Sequence, residues 1–135
     1  ILSFSKTLDS RNFTFLDSVA KSEIPKYIDI SDYALVNLRK LADFKNVIPS
    51  KIFENIAMYK PILLGVEGEA KELIEGYNIG IAFEPENTES FINAIYEVEN
   101  INMDAFMVNC DIMLNDFDRN QIAEKMIRFI ETKHS

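Results

Sequence analysis

The sequence predicts an α/β fold, a doubly wound parallel sheet with helices on both faces. Three observations predict it. Short apolar runs alternate with stretches of helical periodicity, the pattern of successive βαβ units. A run such as Ile62-Leu63-Leu64-Gly65-Val66 contains no polar residue, as a strand covered on both faces requires. Proline, glycine and the short polar residues Ser, Asn, Asp and Thr stand where they start or stop an element. Crossovers between such parallel strands should be right-handed.

Taken in order, Asn12-Phe13-Thr14-Phe15-Leu16 reads as a strand, followed by the turn Asp17-Ser18. Ser22 is a plausible N-cap for a short helix ending near Ile30, with Pro25 in its first turn, where the missing N–H costs no helical bond. Tyr33 to Leu38 forms the next strand and runs into the polar stretch Arg39 to Asn46, the longest loop. Ser50 can cap a helix to about Tyr59, whose buried stripe is Ile52, Phe53, Ile56 and Ala57. Pro61 marks its end before the strand Ile62 to Val66.

Gly68 opens a helix over Glu69 to Glu75, with Ala70, Leu73 and Ile74 on one face and Gly76 as its C-cap residue. Ile79 to Phe83 is the following strand, and Glu84-Pro85-Glu86-Asn87 is turn chemistry. Thr88 or Asn87 caps a helix whose Phe91, Ile92, Ala94 and Ile95 face inward. Two more helices, Met103 to Leu114 and Arg119 to Lys133, are split by Asn115-Asp116. In the first, Met103, Phe106, Met107 and Met113 recur at helical spacing as core, and Cys110 among them is a small buried hydrophobe. In the second, Ile122, Met126, Phe129 and Ile130 share one face of an amphipathic helix.

With 135 residues and 47% hydrophobic content, the chain has one domain's worth of core. Fourteen Lys+Arg against 22 Asp+Glu give a net charge of -8, which argues against a nucleic-acid-binding domain or a polybasic membrane anchor. A lone Cys110 and a lone His134 exclude an internal disulfide and leave no Cys/His zinc site or Ser-His-Asp triad within this chain. No cofactor and no metal site is expected. No apolar run reaches the length of a membrane span, and the first residues lack the order of a signal peptide, so a cytoplasmic protein is expected. Ile1, Leu2 and Phe4, without an initiator Met, read as a helix already in progress and the chain as a fragment of a longer one.

The charge balance reverses in one window. From Arg39 to Lys60 the bases are Arg39, Lys40, Lys45, Lys51 and Lys60 and the acids only Asp43 and Glu54, so this window carries +3 and the remainder -11. It spans the loop after a strand and the start of a helix, where open α/β sheets bind ligands and where free N–H groups attract phosphate. Ser50 and Glu54 lie one turn apart on the same side of that helix. Glu54 is one residue too far from Ser50 for a capping box. A hydroxyl with amide donors, followed by an acceptor-only carboxylate, matches phosphates followed by ribose, the layout of a nucleotide-diphosphate site.

The stretch Asn46 to Leu63 carries Pro49-Ser50-Lys51, then Glu54, Ala57 and Lys60-Pro61 ahead of a strand. It resembles the donor-site segment of retaining GT-B glycosyltransferases of family 4, in particular the WbuB-like, Pro-Ser-Lys branch. Gly65-Val66-Glu67-Gly68-Glu69 and Gly80 to Asn87 resemble that family's next two turns, and Asn12 to Asp17 and Asp32 to Leu38 its preceding strands, so the likeness runs from about Asn12 to Val98. The resemblance implies a Rossmann-like C-terminal half-domain that binds a nucleotide diphosphate sugar, a UDP-sugar in this branch. Glu54 would accept hydrogen bonds from the ribose hydroxyls, Pro49, Ser50, Lys51 and Ile52 would hold the diphosphate, and Asp17, Ser18 and Val19 up to Ile24 would lie along the base. Asn46 stands where many members carry a second Glu facing the donor sugar.

The same resemblance implies a partner N-terminal acceptor domain and a lipid-linked or polysaccharide acceptor at the inner membrane face. Transfer takes place in the cleft between the two domains, so this chain alone is expected to bind nucleotide weakly and to transfer nothing. Two other readings compete. A receiver-like signalling domain would need an Asp pair after an early strand and a Lys-Pro after a strand; here Lys60-Pro61 precedes one. An inert binding or assembly domain of the same fold is compatible with Asn46 and with an exposed apolar edge.

Overall fold

Why a chain of this pattern forms a sheet is clearest at its middle strand. The computed structural model describes residues 12–40 and 46–133. Among these residues it contains three parallel strands, β1 (Ala34–Asn37), β2 (Ile62–Gly65) and β3 (Gly80–Ala82), side by side in chain order. Val36 pairs with Leu64 and Leu64 with Ala82. Alternate side chains of β2 point to opposite faces. Ile62 and Leu64 enter one core with Ile52, Ile56, Ala70, Ile74 and Phe106, whereas Leu63 enters another with Phe83, Ala94 and Val98. Both faces of β2 are therefore dry, which is what its unbroken apolar sequence demands.

A short 3-10 turn, Lys21–Glu23, leads into α1 (Ile24–Asp29); then come α2 (Lys51–Ile56), α3 (Glu69–Tyr77), α4 (Thr88–Val98), α5 (Met103–Asp116) and α6 (Arg119–Lys133). The crossover helices α2 and α3 lie on the same face, as successive crossovers of one hand must when strands are laid down in one direction. Helix α4 follows the last strand and covers the other face through Ala94 and Val98. The architecture is thus an open, three-stranded parallel α/β sheet; a reversal of strand order, the mark of double winding, would need strands beyond these three. Among the described residues no helix is long and apolar enough to cross a membrane.

Helix α5 is fastened over α2 and α3. Phe106, Cys110 and Met113 are fully buried, the i, i+4, i+7 stripe of an amphipathic helix. At its rim Tyr59 Oη donates to Asp111 Oδ1 at 2.8 Å and Tyr77 Oη to Asp116 Oδ2 at 2.9 Å. Burial pushes the Cys110 thiol up to about 12, so it behaves as the small hydrophobe expected of it. Gly65 is required by close approach: a Cβ there would meet Asn37 Oδ1 and stand 2.5 Å from Phe83 Cζ. Gly68, at the start of α3, has φ 78° and ψ -141°, a region that glycine alone occupies readily.

Several expectations are corrected. Asn12 to Leu16 is not a strand; residues 13–16 are irregular and Phe13, Phe15 and Leu16 are more than half exposed. A strand requires a neighbour to satisfy its backbone, and the described residues offer it none. Ser22 falls inside the 3-10 turn and caps nothing, although Pro25 does sit in the first turn of α1. Ser50 occupies the N-cap position of α2 but is itself helical (φ -58°, ψ -26°) and makes no side-chain cap bond. That helix stops at Ile56 and turns out through Tyr59, at φ 52°.

Ala57 therefore belongs to the turn and is exposed. Gly76 lies within α3, and Asn78 takes the left-handed C-cap position at φ 52°, a role its short polar side chain tolerates. Asn87, not Thr88, caps α4 by accepting from Ser90 N at 3.0 Å. Ile92, Met103 and Met107 are 44%, 45% and 43% exposed, each lying beside its helix's buried stripe. Residues 1–4, read as a helix in progress, and most of the loop after Arg39 lie outside the described residues.

Candidate functional site

The carboxyl end of β1 and the start of α2 enclose a first cavity of about 460 Å³, lined by Leu35, Val36, Asn37 and Leu38 on the strand side and Pro49, Ser50 and Lys51 on the helix side. Because α2 makes no capping use of the Ser50 hydroxyl, that hydroxyl and the Lys51 ammonium bring hydrogen-bond donors to a hollow at a strand terminus, where open α/β sheets place ligands. Ile52 does not face it. Its side chain is fully buried in the core and its amide donates to Pro49 O at 3.0 Å.

A second cavity, about 420 Å³, lies between α1 and α2. Lys21, Ile24, Pro25 and Ile28 form one wall and Glu54, Ala57 and Met58 the other. Its size falls within the range of small-molecule sites. The walls are apolar apart from one acceptor-only carboxylate and one donor-only ammonium. Lys21 and Glu54 make no ion pair with each other, or with any other of the described residues. Both charges are available to a ligand between the helices. Such a site can hold and orient a molecule with hydroxyls at one end and acceptors at the other.

The residues selected from sequence are thus divided. Pro49, Ser50 and Lys51 line the first cavity, and Ile24 and Glu54, far apart in the chain, line the second. Asp17 and Ser18 are exposed, Val19 is half-buried and Asn46 is exposed ahead of α2; none of them lines either cavity. Sequence reading covered Lys21 only as part of the span from Asp17 to Ile24, and it missed Pro25 and Ile28. Their signal was present, because 21, 24, 25 and 28 follow the i, i+3, i+4, i+7 spacing of a helix face.

The positive window is less free than its net charge implies. Lys40 Nζ contacts Glu84 Oε1 at 2.9 Å and Glu67 Oε1 at 3.4 Å, and the Lys40 amide donates to Glu86 Oε1 at 3.2 Å. Glu84 and, more weakly, Glu67 raise the Lys40 pKa above its ordinary value; Lys40 and Asn87 hold the Glu84 carboxyl below its own. Lys60 Nζ is spent on Asp29 O at 2.8 Å. Among the described lysines of the window it is Lys51 that lines the first cavity. Among the described residues no group of three or more His, Cys, Asp or Glu side chains is placed to hold a metal ion.

Fold and cavities together define the class: an open parallel α/β domain with one ligand-sized hollow at the end of its first strand and another between its first two helices. No known protein family matches this chain, and no curated protein or solved structure matches it.

Proposed function

We propose that the chain is the nucleotide-sugar-binding part of a retaining GT-B glycosyltransferase, a doubly wound half-domain that presents a UDP-sugar to a lipid-linked or polysaccharide acceptor held by a partner domain. The observation that carries this reading is the cavity shared by Ile24 and Glu54. The family likeness assigns those two residues to the base and the ribose of one nucleoside, and a single hollow lined by both is what that assignment requires. The other hollow, lined by Pro49, Ser50 and Lys51, supports it by offering donors for the diphosphate.

Calorimetric titration with UDP is the test. Binding is expected, weakened about tenfold by Glu54→Ala, which removes a carboxylate acceptor from the ribose, and reduced also by Lys51→Ala. A second reading, an inert α/β assembly domain, is favoured by α6, which buries no residue and leaves Met126, Ile127, Phe129 and Ile130 more than half exposed. Failure to bind UDP or GDP at millimolar concentration would decide for it.

A further inference from the structure

The cavity between α1 and α2 carries a charge, that of Lys21, to which the nucleotide-sugar reading gives no role of its own. Lys21 stands one helical turn before Ile24 on the α1 side, across from the α2 wall that bears Glu54. Between them the lining is Ile24, Pro25, Ile28, Ala57 and Met58, apolar surface against which a flat ring can lie. Glu54 accepts hydrogen bonds and cannot donate; the Lys21 ammonium donates three and cannot accept. A ligand bridging them must therefore show donors, such as ribose hydroxyls, to Glu54 and acceptors to Lys21.

We propose that Lys21 selects the nucleobase, favouring bases whose edge is rich in carbonyl acceptors, uracil and guanine, over adenine. This rests on the nucleotide-sugar reading above and adds to it which residue sets the base preference and by what chemistry. Uracil offers two carbonyl oxygens, and guanine its O6 and N7 side by side, whereas adenine presents an amine donor beside N7. An ammonium facing that amine loses a bond and gains repulsion, while a carbonyl gives a charge-assisted bond. Partial exposure of Lys21 keeps the discrimination modest, about five- to tenfold in affinity. Specificity here arises as much from the unfavourable donor-donor encounter as from the favourable contact.

The experiment is calorimetric titration of the 135-residue chain with UDP, GDP and ADP at one salt concentration, repeated for Lys21→Met, Glu54→Gln and Lys26→Met. Lys26 is an exposed cation nearby in the chain, on α1 and paired with Glu23 at 3.4 Å, and it controls for loss of one positive charge. The expected result is UDP and GDP binding about five- to tenfold tighter than ADP, with Lys21→Met weakening UDP and GDP and strengthening ADP until the three affinities converge. Glu54→Gln should weaken all three equally and Lys26→Met none selectively. Equal affinities in the unaltered chain, or a Lys21→Met loss that is the same for all three, overturns base selection by Lys21 while leaving nucleotide binding intact. No binding of any nucleotide overturns both.

Discussion

Helices α5 and α6 are neighbours of nearly equal length, both amphipathic by sequence, yet one is part of the core and the other is not. Helix α5 buries Phe106, Cys110 and Met113 completely and is pinned at its rim by Tyr59 and Tyr77. Helix α6 buries nothing, and its apolar residues Met126, Phe129 and Ile130 are between 54% and 61% exposed. The difference teaches that an apolar stripe states a capacity for burial, whereas docking depends on a complementary surface. Helix α5 finds that surface in the core it shares with Ile52 and Ile56 of α2 and Ile74 of α3.

The comparison can be tested from the strongest side first. Phe106→Ala should cost about 3–5 kcal/mol in chemical denaturation, since it empties a fully buried ring site that the neighbouring helices can only partly refill. A loss below about 1 kcal/mol would mean that α5 is no more integrated than α6. Removing the rim contacts should cost much less. Tyr59→Phe with Tyr77→Phe deletes two phenol–carboxylate bonds and is expected to lower stability by well under half the Phe106→Ala effect.

Those bonds also have a pH signature. Asp111 and Asp116, through these bonds, raise the pKa of Tyr59 and Tyr77 above the ordinary 10.0, because a carboxylate favours the neutral phenol. Their contribution is full below the unfolded-state pKa and fades as pH rises through the higher folded-state values. Alkaline stability profiles of the parent and the double variant should therefore converge above the ordinary tyrosine range. The smallest effect belongs to α6. Phe129→Ala should shift stability by no more than about 0.5 kcal/mol, even though Lys133 sits 4.7 Å over its ring.

The same contrast explains what was legible in the sequence. Elements with local signals were readable: β2 from its unbroken apolar run, α4 from its Asn87 cap, α5 and α6 from periodicity. What failed depended on distant partners. Asn12 to Leu16 has strand composition but no adjacent strand among the described residues, and Met107 has core chemistry but stands one residue beyond the buried stripe. Gly76 looked like a helix stop, yet a Cβ there would meet nothing, and Asn78 supplies the turn.

Site residues divided along the same line. Glu54 could be placed on a helix side from spacing alone, but its companions Lys21 and Ile28 come from the 3-10 turn and from α1, so only the folded arrangement brings them together. Net charge was the weakest guide. Lys40 belongs to the positive window by sequence and is engaged by Glu84 and Glu67 in space.

The order of the strands also bears on how the chain acquires its shape. Each described strand pairs with the next one along the polypeptide, so none of these three must wait for a later, more distant strand before it finds a neighbour. Sheets built this way close short loops first and meet a lower entropic barrier than topologies that insert a late strand between two early ones. Assembly can proceed by accretion, with each strand-and-helix unit settling onto the previous one, and the α5 cap sealing the result once α2 and α3 provide its seat.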